Sequence, residues 1–140
     1  KHSVAHVSKD RGIAKQSRWQ KISIEASQQS KRIHPPRVWA PMALQDILLQ
    51  FANIFPPGAI HLVLKPDAPL SLAQCLYEIS LPCKHMVLWI GPEGGFSEHE
   101  IVALCNLGAN EVCLGPNVLR TETAGLVASA MVCHHFGWSA

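Results

Sequence analysis

No uninterrupted apolar run in these 140 residues approaches the roughly 20 needed to cross a membrane as a helix. Charge is sparse too, with 16% charged residues against 48% hydrophobic ones, which excludes both a disordered chain and a charged coiled coil. The five cysteines (Cys75, Cys83, Cys105, Cys113, Cys133) are odd in number and form no C-x-x-C pair. Most sit inside apolar runs, so a disulfide framework is excluded and a reducing compartment is expected. Of the eight histidines only His2 and His6 have the spacing of two ligands on one helix face, and no Cys or carboxylate lies at partner spacing, so no metal is expected. The opening segment lacks the charged-then-apolar order of a signal peptide, and a soluble, cytoplasmic protein follows as the default expectation. Lys1 in place of Met fits a truncated start. There is no internal repeat or long linker, and 15.3 kDa predicts one domain with a real core.

What charge there is lies unevenly. Residues 1 to 37 hold nine Lys or Arg against Asp10 and Glu25, a net +7, whereas the remainder is at −5. A basic arm on an acidic body suits an anionic partner such as nucleic acid, and suits equally a solvated N-terminal segment. Residues 1 to 16, with no sustained periodicity, are expected to be loosely ordered, ahead of a core domain from 17 to 140.

Helical patterns alternate with short apolar runs along the core, which predicts an α/β domain with a largely parallel sheet and helices on both faces. Ser17 to Gln20 reads as a capping box opening a helix to about residue 33, before Pro35 and Pro36. A second helix carries Leu44, Ile47, Leu48, Phe51 and Ala52 inward. Ala59 to Leu64 reads as a strand, Ser71 to Ile79 as a short helix, and His85 to Ile90, without alternation, as a central strand covered on both faces. Ser97 to Glu100 is another capping box, its helix stopping near Gly108, and Asn110 to Leu114 forms the next strand. The helix from Thr121 to about Phe136 has apolar residues on nearly every side, which predicts a subunit interface.

Two loops leave the carboxyl ends of predicted strands, where open α/β sheets hold their ligands. In Gly91-Pro92-Glu93-Gly94-Gly95-Phe96, three glycines let a ligand approach bare backbone, or simply make a tight turn. In the segment from Leu114 to Ala124, Val118 and Leu119 are apolar where a surface loop should be polar, and Arg120 is the only Lys or Arg after Lys84. Thr121 is the expected N-cap of the following helix. No Lys-Ser/Thr follows the glycines, there is no G-x-G-x-x-G, and no Ser, Cys or carboxylate pair stands in a nucleophile setting. The residues therefore point to a small-molecule site of backbone and apolar side chains beside a basic surface, suited to an adenine-bearing cofactor and a nucleic acid substrate.

Three strings in order, RWQKISIEASQQSKR (18–32), LWIGPEGGFSEHEI (88–101) and LGPNVLRTETA (114–124), resemble the bacterial ribosomal RNA small subunit methyltransferase E family. The resemblance implies a SPOUT-type α/β fold with a C-terminal trefoil knot, a homodimer, and S-adenosylmethionine-dependent methylation of N3 of a uridine in the RNA of the small ribosomal subunit. By resemblance the cofactor contacts Leu64, Ile90, Gly91, Pro92, Glu93, Gly94, Gly95, Leu114, Gly115, Asn117, Val118, Leu119, Thr123 and Ala124. Arg120 is the candidate for stabilising charge on the uracil oxygens, and Glu122 for base or positioning residue. Family members carry an N-terminal PUA-like RNA-binding domain and a first strand and helix that this chain lacks, and commonly have Arg where Asn117 stands. A non-catalytic RNA-binding module and a SPOUT enzyme acting on another RNA position or on transfer RNA are the competing readings.

Overall fold

The computed structural model describes residues 9–79 and 83–137, and the chain divides into two units, residues 1–49 and 50–139. His2 and His6, with the rest of residues 1–8, lie outside the described residues.

In the first unit α1 runs over Lys9–Gln29, so residues 9–16, expected to be loosely ordered, are helical. Between them only Gly12 disfavours a helix, by about 1 kcal/mol relative to Ala, which weakens a helix without stopping it. Ser17 and Gln20 consequently lie inside α1 and form no capping box. Instead Gln16, Gln20 and Ser23, spaced one helical turn apart, hold the irregular segment that follows. Gln16 Nε2 donates to the Val38 carbonyl (3.0 Å), Gln20 Nε2 and Ser23 Oγ donate to the Pro36 carbonyl (3.0 and 2.9 Å), and Val38 N–H donates to Gln20 Oε1 (2.8 Å). The helix closes with Arg32 N–H donating to the Ser27 carbonyl (2.8 Å) and Lys31 N–H to that of Gln28 (3.2 Å), a Schellman arrangement that sets Lys31 at φ 58°. A short α2 (Leu44–Leu49) follows. The single helix expected from 44 to 52 is interrupted at Gln50, whose φ of −104° and ψ of 16° are not helical.

The second unit starts with α3 (Phe51–Ile54) and then alternates: β1 (Ile60–Leu64), α4 (Leu72–Glu78), β2 (Met86–Trp89), α5 (Glu98–Asn106), β3 (Ala109–Val112) and α6 (Thr121–Phe136). The three strands form a parallel sheet in the order β2-β1-β3, with Leu62 opposite Leu88 on one side and Asn110 on the other. The α/β expectation holds. The strand over 85–90 was expected at the centre, yet among the described residues β2 is an edge and β1 is central. Burial agrees, since Leu62 and Val63 are fully buried whereas Met86, Val87 and Leu88 are half-buried. An apolar run reports that a strand is covered, not which neighbours pair with it.

Alternation along β1 sends Leu62 to one face, where it packs with Leu72, Cys75 and Leu76 of α4, Val112, and Ala128 and Val132 of α6. His61 faces the other way, 4% exposed, among Phe51, Phe55 and Trp89 at ring separations of 4.6 to 6.0 Å. Trp89 Nε1 donates to His61 Nδ1 (3.2 Å), which satisfies both buried groups. The capping boxes at Ser71 and at Ser97, the latter as expected, start α4 and α5. Among the described residues no helix is long and apolar enough to cross a membrane.

Candidate functional site

All three strands run parallel, so their carboxyl ends lie together, and a cavity of about 290 Å³ opens there. Its wall comes from the segments after β1 (Leu64 to Pro66), after β2 (Ile90 to Glu93 and Gly95) and after β3 (Val112 to Gly115 and Asn117 to Thr121), together with Ala124 of α6. Every residue put forward from the sequence for cofactor contact lines it except Gly94 and Thr123. Arg120 lines it too, whereas Glu122 does not. Thr123 and Glu122 fall on the exposed side of the first turn of α6, and Gly94 is an exposed turn residue.

The first loop folds on itself. Gly95 N–H donates to the Pro92 carbonyl (2.8 Å), and Gly95 sits at φ +72°, where a side chain is strained. Gly91 is needed for a different reason: a Cβ there would lie 3.0 Å from the Phe96 nitrogen and 3.1 Å from Gly95 backbone carbon. The second loop is joined to the first at one point. Thr121 Oγ1 donates to the Gly91 carbonyl (3.0 Å), a bond between residues 30 apart in sequence. Thr121 was expected to cap α6 and does not. Arg120 takes the N-cap position without a side-chain cap, which frees the threonine hydroxyl for the other loop. Such a bond contributes roughly 0.5–1.5 kcal/mol net, but it fixes the spacing of the two walls.

The wall is mainly apolar, formed by Leu64, Ile90, Leu114 and Leu119 among others, and Val118 is 76% exposed at its edge. Two cations reach it. Lys65 Nζ pairs with Glu111 (2.9 Å) and Asp67 (3.7 Å), and the hydrogen bond to Glu111 raises its ammonium above the usual lysine range against a smaller opposing effect of burial. Arg120 is exposed, and among the described residues it has no ion-pair partner.

Sequence reasoning missed Lys65, Pro66, Val112, Cys113 and Thr121 as wall residues. Lys65 and Pro66 follow the carboxyl end of a recognised strand, so the strand-end rule already contained the signal. Thr121 carried no such signal, because its partner is a backbone carbonyl of another loop. Among the described residues no group of three or more His, Cys, Asp or Glu is arranged to hold a metal ion.

Comparison with known proteins adds to this geometry. A family model described as RNA methyltransferase domain matches residues 1–133. Ribosomal RNA small subunit methyltransferase E of Synechocystis is 36% identical over 120 residues, which cover 84% of this chain and 38% of that protein. The crystal structure of the enzyme of that name from Neisseria gonorrhoeae, bound to S-adenosyl methionine, matches at a TM-score of 0.74 with 30% identity, over 91% of this chain and 50% of that one. A putative methyltransferase of Legionella pneumophila, in complex with the same cofactor, matches at 0.79 with 27% identity over 96% and 52%. The chain spans about half the length of these proteins or less.

Proposed function

We propose, since the chain belongs to the RNA methyltransferase domain family, that it forms the S-adenosylmethionine-binding part of an enzyme that methylates N3 of a uridine in small-subunit ribosomal RNA. The observation that carries this reading is the single cavity made by both glycine-containing loops, joined through Thr121 and Gly91. Its residues fit the cofactor: Leu64, Ile90, Leu114 and Leu119 offer an apolar slot for adenine, and the backbone of 91–95 and 114–119 offers N–H and C=O groups to its polar edges. When bound, S-adenosylmethionine supplies a methyl group on a positively charged sulfur. The chain's own residues hold that group in line with the base and keep water out, which is the larger part of such catalysis.

Arg120 is the residue available to the substrate. Loss of the N3 proton puts negative charge on the uracil oxygens, and an unpaired guanidinium on the cavity wall is suited to stabilise it. Glu122 stands second to Arg120, since it lies off the wall and its charge already favours the N-terminus of α6. The same reading includes a trefoil knot, a homodimer and a cytoplasmic location beside the ribosome. The path of the chain after β3 supports the knot: Leu72 N–H donates to the Cys113 carbonyl (2.8 Å) and Cys113 N–H to the Leu70 carbonyl (2.9 Å), so two connecting segments run side by side. Leu126, 72% exposed on α6, supports the homodimer.

Calorimetric titration with S-adenosylmethionine tests the reading. The chain should bind it, and Gly91→Ala, whose Cβ meets backbone, should weaken binding at least about tenfold, about 1.4 kcal/mol, while circular dichroism stays unchanged. A folded chain that binds no cofactor would sink the proposal.

A further inference from the structure

Arg37 and Trp39 form a feature of the first unit that methyl transfer leaves unused. The guanidinium carbon of Arg37 lies 3.9 Å from the centre of the Trp39 ring. Between them Val38 is fixed at both its N–H and its carbonyl by Gln20 and Gln16, and Pro36 just before is held by Gln20 and Ser23. Backbone that is clamped on one side of a pair fixes how the pair stands, so the stack is assembled before any partner arrives. Trp39 is nonetheless 62% exposed. A tryptophan left this open, with one flat cation against it and its backbone held, is built to receive a second flat group.

Charge identifies that group. Residues 1–49 hold nine Lys or Arg against Asp10, Glu25 and Asp46. Lys15, Arg18, Lys21, Lys31, Arg32 and Arg37 have no ion-pair partner among the described residues. Lys31 even occupies the left-handed position that closes α1, where glycine is the unstrained choice. A polyanion whose repeating unit carries a flat aromatic surface satisfies both the cations and the ring. We infer that the Arg37–Trp39 pair is a stacking platform for an unpaired RNA base, on a cationic surface that takes the adjoining phosphates. The inference rests on the reading of the chain as part of an RNA methyltransferase, and names a contact in its first unit. A base inside a duplex has both faces covered by its neighbours, so the platform selects single-stranded RNA.

Fluorescence anisotropy with a labelled single-stranded RNA, a duplex of the same length and heparin tests it on the full chain. Trp39→Ala should weaken single-strand binding roughly tenfold, Trp39→Phe should keep most of the affinity, and duplex and heparin binding should be unchanged in both. Lys31→Gln and Arg32→Gln should instead weaken single strand and duplex alike and flatten their salt dependence. Equal loss for all three ligands in Trp39→Ala, unaltered single-strand affinity, or a wild-type chain that binds no single-stranded RNA at low salt would each overturn the inference. Cofactor titration of the same proteins separates the two readings. If Trp39→Ala loses single-strand affinity and no variant binds S-adenosylmethionine, the platform stands and the methyltransferase reading fails. If the cofactor binds and Trp39→Ala changes nothing, the reverse holds.

Discussion

Arg120 and His61 illustrate opposite ways of treating a group that can carry charge. Arg120 is exposed on the cavity wall without an ion-pair partner among the described residues, so its charge is available to a ligand. Arg120→Ala in an enzyme containing this chain should lower turnover at least about tenfold, about 1.4 kcal/mol of transition-state stabilisation, with cofactor affinity nearly unaltered. Parallel loss of stability or of cofactor binding would assign it a structural or cofactor-holding role instead. His61 is enclosed by Phe51, Phe55 and Trp89, and burial pushes its imidazole below the usual 6.5. In the folded state it resists protonation and keeps Nδ1 as the acceptor for Trp89, whereas the unfolded chain takes up the proton near pH 6.5. Its contribution to stability is therefore complete above that pH and is lost as pH falls toward the lowered folded value. Urea midpoints should be lower at pH 5 than at pH 7.5, and His61→Gln should shrink that difference.

The ends of the helices show why some boundaries follow from sequence and others do not. At Ser71 and Ser97 each serine accepts from the backbone N–H of the residue three further on, while that residue's side chain accepts from the serine's own N–H. Everything such a cap needs lies within four residues, which is why Ser97 to Glu100 could be read directly. The same pattern at Ser17 misleads, because Gln20 has better partners in Pro36 and Val38, brought back along α1 by the turn between them. That turn depends on Lys31 at φ 58°, a conformation costing a residue with a Cβ roughly 1 kcal/mol. Lys31→Gly should raise stability by about that amount in chemical denaturation followed by circular dichroism, with the length of α1 unchanged. An equal loss of stability would mean that the lysine side chain supports the turn.

Across the whole chain, the apolar surface that remains uncovered bears on assembly. Leu126 and Val118 are 72% and 76% exposed, and under the proposed homodimer both copies cover such surfaces. Light scattering should report a dimer at micromolar concentration, and Leu126→Glu should shift it to monomer. A wild-type monomer would remove this part of the reading. The α/β class, the strand at 59–64, the capped helix after Ser97 and the loops at 91–96 and 114–120 were all legible from residues alone. Each depends on periodicity, glycine or a cap, which act over a few neighbours and leave their mark in a short string. Tertiary structure alone decided that β1 is the central strand, that Lys65 and Thr121 belong to the cavity, and that Gln16, Gln20 and Ser23 bind a segment rather than start or line a helix. Each of these is a pairing between residues far apart in sequence. The hydroxyl of Thr121 and the carbonyl of Gly91 carry no sign of one another until the parallel sheet brings the ends of its strands together.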